Sequence, residues 1–173
     1  MREVFEALAK YKQNVDESII GITEKLDPSK LVAPMGTFFP SVYDQLKHLF
    51  GSDVNWIKRL KPAFPESKAL GSSRFADFDN DSLKALDAKD AKNLFANMIE
   101  LDATVRAFVS ELDEVGFAKI VAYKNYKGQS ESHPLWQVLL QWFNHGTHHR
   151  GTISGQLDIL GVDNDYSSLI AKI

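Results

Sequence analysis

Apolar residues recur at spacings of three and four from Val4 through Leu8, Tyr11, Val15, Ile19 and Ile22 to Leu26, the stripe of an amphipathic helix facing a core. Pro28 stops it. A second stripe opens after Pro40 with Ser41 as N-cap and runs through Val42, Leu46, Leu49, Trp56, Ile57 and Leu60 to Pro62. Residues 63–87 hold no sustained period and read as a long connection of the kind that often covers a site. A third helical pattern starts near Asp87, uses Leu94, Phe95, Met98, Leu101, Val105, Phe108, Val109 and Leu112, and ends at Gly116. The period then changes. "KIVAYKNYKGQSES" carries β-branched and aromatic residues around a Lys127-Gly128 turn, a short β-hairpin that needs helices to pack on. The fourth helix begins near Pro134 and carries Leu135, Val138, Leu139, Trp142, Ile153, Leu157 and Leu160.

Four long stripes, each needing a partner, predict an all-α fold, a four-helix bundle with a short β-hairpin between the third and fourth helices. At 173 residues and 44% hydrophobic content the chain is long enough for one core, and 1–173 is expected to be a single domain. The last dozen residues are expected to pack as a tail. A net charge of −3, with basic residues scattered singly, disfavours nucleic acid and anionic membranes as partners. No apolar leader opens the sequence and no stretch is apolar for long enough to cross a bilayer, so a cytoplasmic location is expected. With no cysteine, any metal must be held by His, Asp, Glu or water, and any thiol in the chemistry arrives with a substrate.

Three of the five histidines fall within "WFNHGTHHRGT", residues 142–152. With His145 at zero on a helical wheel, His149 lies at about 40° and His148 at about 300°, while the apolar positions centre near 85°. His145 and His149 therefore turn inward together and His148 outward. Two imidazoles four residues apart can ligate one ion, and a third ligand from another helix would leave a position open for water. A lone HxxxH is equally a pair of hydrogen-bonded core histidines. His48 lies about 160° from the apolar centre of the second helix, among Ser41, Gln45, Ser52 and Asn55, and reads as exposed unless that face lines a polar cleft. His133, before Pro134, reads as a turn residue or helix cap. Trp56, Trp136 and Trp142 read as core, and Tyr43 and Asp44 as weak candidates for supporting His48. Asp53 and Arg150 both project toward the apolar sides of their helices, at about 140° on their wheels, and are expected to pair and lock the second helix to the fourth.

"HLFGSDVNWIKRL" (48–60) and "HPLWQVLLQWFNHGTHHRGTISGQL" (133–157) together resemble the DinB/YfiT-like family, whose members are regarded as metalloenzymes. The resemblance covers nearly the whole chain and rests on H-x4-D-x2-W-x2-R followed by NHxxHHRG, a far rarer combination than HxxxH alone. It implies a four-helix bundle, often a homodimer, holding a divalent metal, zinc or nickel before others, through His48, His145 and His149. The family commonly continues HHRGQ where this chain has Thr152. Related families include thiol-dependent transferases and an isomerase. The expected function is thus that of a divalent-metal-binding enzyme acting on a small molecule, with transfer of a low-molecular-weight thiol as the leading reaction. A metal-dependent hydrolase and a noncatalytic metal-binding stress-response module are the alternatives. Gly146 stands where the zincin HExxH motif has its glutamate, which disfavours zincin-type proteolysis and leaves simpler hydrolysis open, and no general base is identifiable.

Overall fold

A computed structural model describes residues 1–173, with the side chain of residue 80 left aside. Four long helices carry the fold: α1 (Arg2–Thr23), α3 (Val42–Leu60), α6 (Ala91–Glu111) and α8 (Leu135–Ile159). Short helices α2 (Pro28–Leu31), α4 (Lys68–Ser72), α5 (Asn80–Ala85) and α7 (Glu114–Ala118) lie in the connections, and strands β1 (Ile120–Lys124) and β2 (Ser130–Pro134) form an antiparallel hairpin before α8. Around the bundle the long helices follow the order α1, α6, α3, α8, so each packs on two neighbours. Arg2 reaches the Ser110 carbonyl and Arg106 reaches Gln13, which sets α1 antiparallel to α6. His48 meets His149 and Asp53 meets Trp142, which sets α3 antiparallel to α8.

Local signals explain the boundaries. Ser41 Oγ accepts from the Asp44 backbone N–H at 3.2 Å and starts α3 where the sequence places the cap. Pro28 does more than stop a helix: α1 ends at Thr23, and Pro28 becomes the first residue of α2 under an Asp27 cap. The third long helix ends at Leu112 rather than Gly116. Asp113 accepts from Gly116 N at 2.7 Å and caps the new turn α7, so Gly116 sits inside a helix where a terminator was expected. In the hairpin, Gly128 has φ +77° and Asn125 Oδ1 accepts from the N–H groups of Lys127 and Gln129 at 2.9 and 3.0 Å, closing the turn. Residues 63–87 are more ordered than their lack of period suggests, since α4 and α5 fold there. Leu83 of α5 rests on Gly51 of α3, where an added Cβ would stand 2.9 Å from a Leu83 methyl. The tail packs on α1 through Tyr11, which donates to the Tyr166 carbonyl at 2.6 Å, and Asn14, which donates to that of Lys172 at 2.6 Å.

The core holds an ion network that the hydrophobic stripes do not announce. On α1 the buried face runs through Phe5, Ala9, Lys12, Val15, Asp16 and Ile19, while Val4 is exposed. Lys12 Nζ lies 3.0 Å from Asp16 Oδ2 and 2.9 Å from Asp53 Oδ2, and it also bonds Asp102 Oδ1. The expected Asp53–Arg150 pair does not form. Arg150 bonds Asp16 instead, and Asp53 is taken by Lys12 and by Trp142 Nε1 at 2.5 Å. The reason is geometric: Asp16 of α1 presents both carboxylate oxygens to Arg150, while the Asp53 oxygens of α3 are held by Lys12 and Trp142. Locking occurs, but it ties α1, α3, α6 and α8 together rather than two helices.

Burial disfavours every charge in this cluster, and the partners decide each outcome. Against that penalty, Arg150 first and Lys12 second hold the Asp16 carboxyl well below its usual range. The carboxylates of Asp102, Asp53 and Asp16 likewise overcome burial at Lys12 and keep its ammonium charged. Asp102 goes the other way. Burial outweighs Lys12, and the nearby Asp16 and Asp53 add to it, pushing the Asp102 carboxyl up to about 8. Its Oδ2 is buried without a hydrogen-bond partner among the described residues. Three carboxylates thus face two cations, and a proton on Asp102 at neutral pH balances them.

Candidate metal centre

The side chains of His48, His145 and His149 converge where α3 and α8 pass each other. His149 Nε2 lies 3.1 Å from His48 Nε2 and 2.9 Å from His145 Nε2. Ligands about 2.0–2.1 Å from a tetrahedral ion stand about 3.3 Å apart, so three imidazole nitrogens this close fit one first-row divalent ion. The inward pair on α8 follows from its four-residue spacing. His48, which the bare pattern of α3 leaves on the outside, is half-buried, because the polar face it shares with Ser52 and Asn55 lines a cleft instead of bulk water.

The surroundings orient the rings. The side-chain amide of Gln45, one turn before His48 on α3, lies 2.5 Å from His149 Nδ1. The group facing the ring is Gln45 Nε2; with the amide turned end for end its oxygen would accept the Nδ1 proton and leave the Nε2 lone pair free for an ion, the usual arrangement behind a ligating histidine. Ser52 Oγ stands 3.4 Å from His145 Nδ1. Phe39 stacks on His48 at 4.1 Å between ring centroids and meets His149 edge-on at 5.8 Å. The loop carrying Phe39 is tied down by Gln156 of α8, whose Nε2 donates to Thr37 Oγ1 at 2.8 Å and to the Phe39 carbonyl at 3.1 Å.

All three imidazoles are held neutral at pH 7. Burial, followed by repulsion from His145 and His48, pushes His149 down to about 4. Burial also lowers His48 and His145 below the usual histidine value. Neutral imidazoles with converging lone pairs are the form in which histidine ligates an ion.

His48 and His145 open onto a cleft of about 920 Å³ that runs along α3 past Ser52, Asn55 and Trp56 to Arg59 and the hairpin residue Tyr123. A cleft of this size accommodates a small molecule. His148 is exposed, as its wheel position requires, although its ring lies 5.0 Å from that of His149. His133 belongs to β2, paired with Val121 and 3.2 Å from Glu131 Oε2, so it is a strand residue rather than a cap. Trp142 is core and spends its N–H on Asp53; Trp56 packs in the core with an edge on the cleft, and Trp136 is partly buried. Tyr43 is buried, and Asp44 Oδ2 accepts from Ser41 Oγ at 2.5 Å; neither bonds a triad ring among the described residues. Thr152, where the family commonly has glutamine, has its hydroxyl 3.4 Å from the His148 carbonyl on its own helix.

Gln45, Phe39 and Gln156 were not singled out by the sequence reading. Gln156 carried one usable signal, an amide at a helix position otherwise suited to burial, while Gln45 was read with the polar face of His48. Phe39 carried none, because it lies in a loop.

Gly146, within the HxxxH turn, has a structural reason. A Cβ there would stand 2.7 Å from Arg150 Nη1, so the missing side chain makes room for the guanidinium that grips Asp16.

A bundle of four long helices with a hairpin ahead of the last, carrying three histidines of two helices that could hold a divalent ion, defines a histidine-triad helical bundle. The model of the DinB family matches residues 1–167, and the chain belongs to that family. No curated protein and no solved structure matches it significantly. Among the described residues, no helix is long and apolar enough to cross a membrane.

Proposed function

We propose that this DinB-family protein is a metal-dependent enzyme in which His48, His145 and His149 hold one divalent ion, zinc or nickel, and that it transfers a low-molecular-weight thiol to a small-molecule acceptor. The observation that carries the reading is the convergence of three imidazoles, with His48 Nε2 and His145 Nε2 within 3.1 Å of His149 Nε2, at the edge of a cleft of about 920 Å³. A divalent ion bound by His48, His145 and His149 would supply Lewis acidity, enough to lower the pKa of a thiol or water. The chain's own residues do the rest. Gln45 orients His149, Ser52 steadies His145, and the Phe39 ring shields His48 from solvent. The absence of cysteine means that the thiol is a substrate. The cleft favours an enzyme over a noncatalytic module, which has no use for a small-molecule cavity beside its ion. The family resemblance also supports a homodimer, which light scattering tests.

Elemental analysis of untagged protein, for wild type and for His48→Ala and His149→Ala, tests the site. Near-stoichiometric metal in the wild type and its loss in both variants is the expected result. A wild type that stays empty after challenge with zinc and nickel would sink the reading. With the site loaded, parallel assays of thiol transfer and of ester or amide hydrolysis separate the transferase from the hydrolase.

A further inference from the structure

Arg59 lies on the same face of α3 as His48, eleven residues and three turns further on, and lines the same cleft. Its guanidinium carbon sits 4.7 Å over the Trp56 ring and 5.1 Å over the Tyr123 ring. Among the described residues it makes no hydrogen bond and no ion pair. The other charged groups of the cleft are engaged. Lys47 donates to the carbonyls of Lys84 at 3.1 Å and Leu86 at 2.5 Å, and Lys84 pairs with Asp81. Glu131 accepts from Asn125 at 2.7 Å and from Tyr123 at 3.1 Å, and its Oε2 lies 3.2 Å from His133 Nε2. Asp44 accepts from Ser41.

A half-buried guanidinium resting on two aromatic rings that meet edge to face, with its N–H donors unused, is an anion site waiting for a partner, and burial already lowers the Arg59 pKa below its usual value. The spacing gives a length. Eleven residues of helix span roughly 16 Å, and the arginine stem leans back over Trp56 toward the helix start, leaving on the order of 10 Å between guanidinium and triad.

We infer that Arg59 is the anchor for an oxyanion, a carboxylate or a phosphate, on a substrate whose reacting end reaches the histidine triad. The Trp56 and Tyr123 rings hold the guanidinium rigid, and the polar stripe of Ser52 and Asn55 lies beneath the body of the molecule. The inference rests on the reading of the triad as the reaction centre for the substrate's other end only; the anion site itself does not need the metal. Arg59 is therefore a specificity-determining residue, and neutral small molecules are poor substrates.

Calorimetric titration with three probes built on one eight-carbon chain tests this: mercaptooctanoate, mercaptooctyl phosphate and mercaptooctanol, on zinc-loaded and on metal-free protein. The acid or the phosphate should bind roughly tenfold to a hundredfold more tightly than the alcohol. Whichever of the two binds tighter names the anion. Arg59→Met should erase the preference and Arg59→Lys should keep part of it, with both variants checked for unchanged thermal unfolding. Mercaptopropionate, too short to engage Arg59 and the triad together, should lack the additional tightening that mercaptooctanoate gains on zinc-loaded over metal-free protein. Equal binding of acid, phosphate and alcohol by the wild type would overturn the inference, as would a preference that survives in Arg59→Met. A protein that takes up no zinc defeats the reading of the triad alone, because the preference on metal-free protein still decides the role of Arg59.

Discussion

Arg150 holds both carboxylate oxygens of Asp16, with Nε 2.7 Å from Oδ1 and Nη2 2.9 Å from Oδ2, and both residues are almost wholly withdrawn from solvent. This two-pronged contact joins the first long helix to the last, one residue beyond His149. It therefore bears on fold and site together.

A buried pair of this kind contributes little net free energy when intact and costs much when halved. Arg150→Met leaves Asp16 charged and short of its main partner, and a loss of about 3–5 kcal/mol is expected in urea denaturation. Asp16→Asn combined with Arg150→Met should cost clearly less than the sum of the two changes, by about 1 kcal/mol or more. The cycle between Arg150 and Asp53 should lie closer to additivity, because those residues share no hydrogen bond and interact only by charge at longer range. Equal coupling in both cycles would contradict the assigned pairing.

The proton on Asp102 gives the network a pH signature. An unfolded aspartate titrates near 3.9, whereas the folded Asp102 carboxyl is pushed up to about 8. The folded state therefore binds a proton that the unfolded state has released, and the stability due to this group is fully present below about 4 and falls as pH rises toward 8. Subtracting the stability of Asp102→Asn from that of the wild type cancels the other titrations. That difference should decrease from pH 5 to pH 8 in a denaturation series; a flat difference would mean that Asp102 is ionised throughout.

Gln45 makes a prediction independent of activity. Gln45→Leu keeps the bulk of the side chain and removes the amide 2.5 Å from His149 Nδ1, so the ring loses its hydrogen-bond partner. Affinity for zinc, measured by competition with a chromophoric chelator, should fall about tenfold to a hundredfold with the fold intact. Wild-type affinity in this variant would show that His149 is oriented by packing alone, with Phe39 as the candidate.

The boundaries of the third and eighth helices were legible because they are set locally, by Ser41 at one and by Pro134 ahead of the other, and by stripes unbroken over several turns. The inward pair His145 and His149 was legible for the same reason. What stayed hidden is what depends on a neighbour. Lys12 and Asp16 look solvent-facing in a one-dimensional pattern, and only the arrival of Asp53, Asp102 and Arg150 from three other helices makes their burial tolerable. Their burial also explains why Phe5, not Val4, faces the core. His48 was misleading alone for the converse reason, since a polar face along a cleft has the same pattern as one in water. Helix α7 was hidden by Gly116, whose flexibility suggests an end, while the decisive signal was the Asp113 cap three residues earlier.

Gly146 offers the sharpest separation of helix propensity from packing. In an ordinary helix interior Gly→Ala gains about 1 kcal/mol, and α8 is regular through this turn. Here the new Cβ would lie 2.7 Å from Arg150 Nη1, closer than the atoms can approach. The guanidinium must move, and in moving it loosens its two contacts to Asp16, which the buried carboxylate cannot replace with water. Gly146→Ala should therefore destabilise the protein by about 1–3 kcal/mol despite its better propensity. In an Arg150→Met background the clash is with a flexible, uncharged chain end, and the same substitution should become neutral or stabilising. Thermal unfolding of the four proteins reads both signs. A Gly146→Ala protein as stable as wild type would show that the glycine does not make room for Arg150, and the requirement at that position would lie instead in the ligand pair on either side of it.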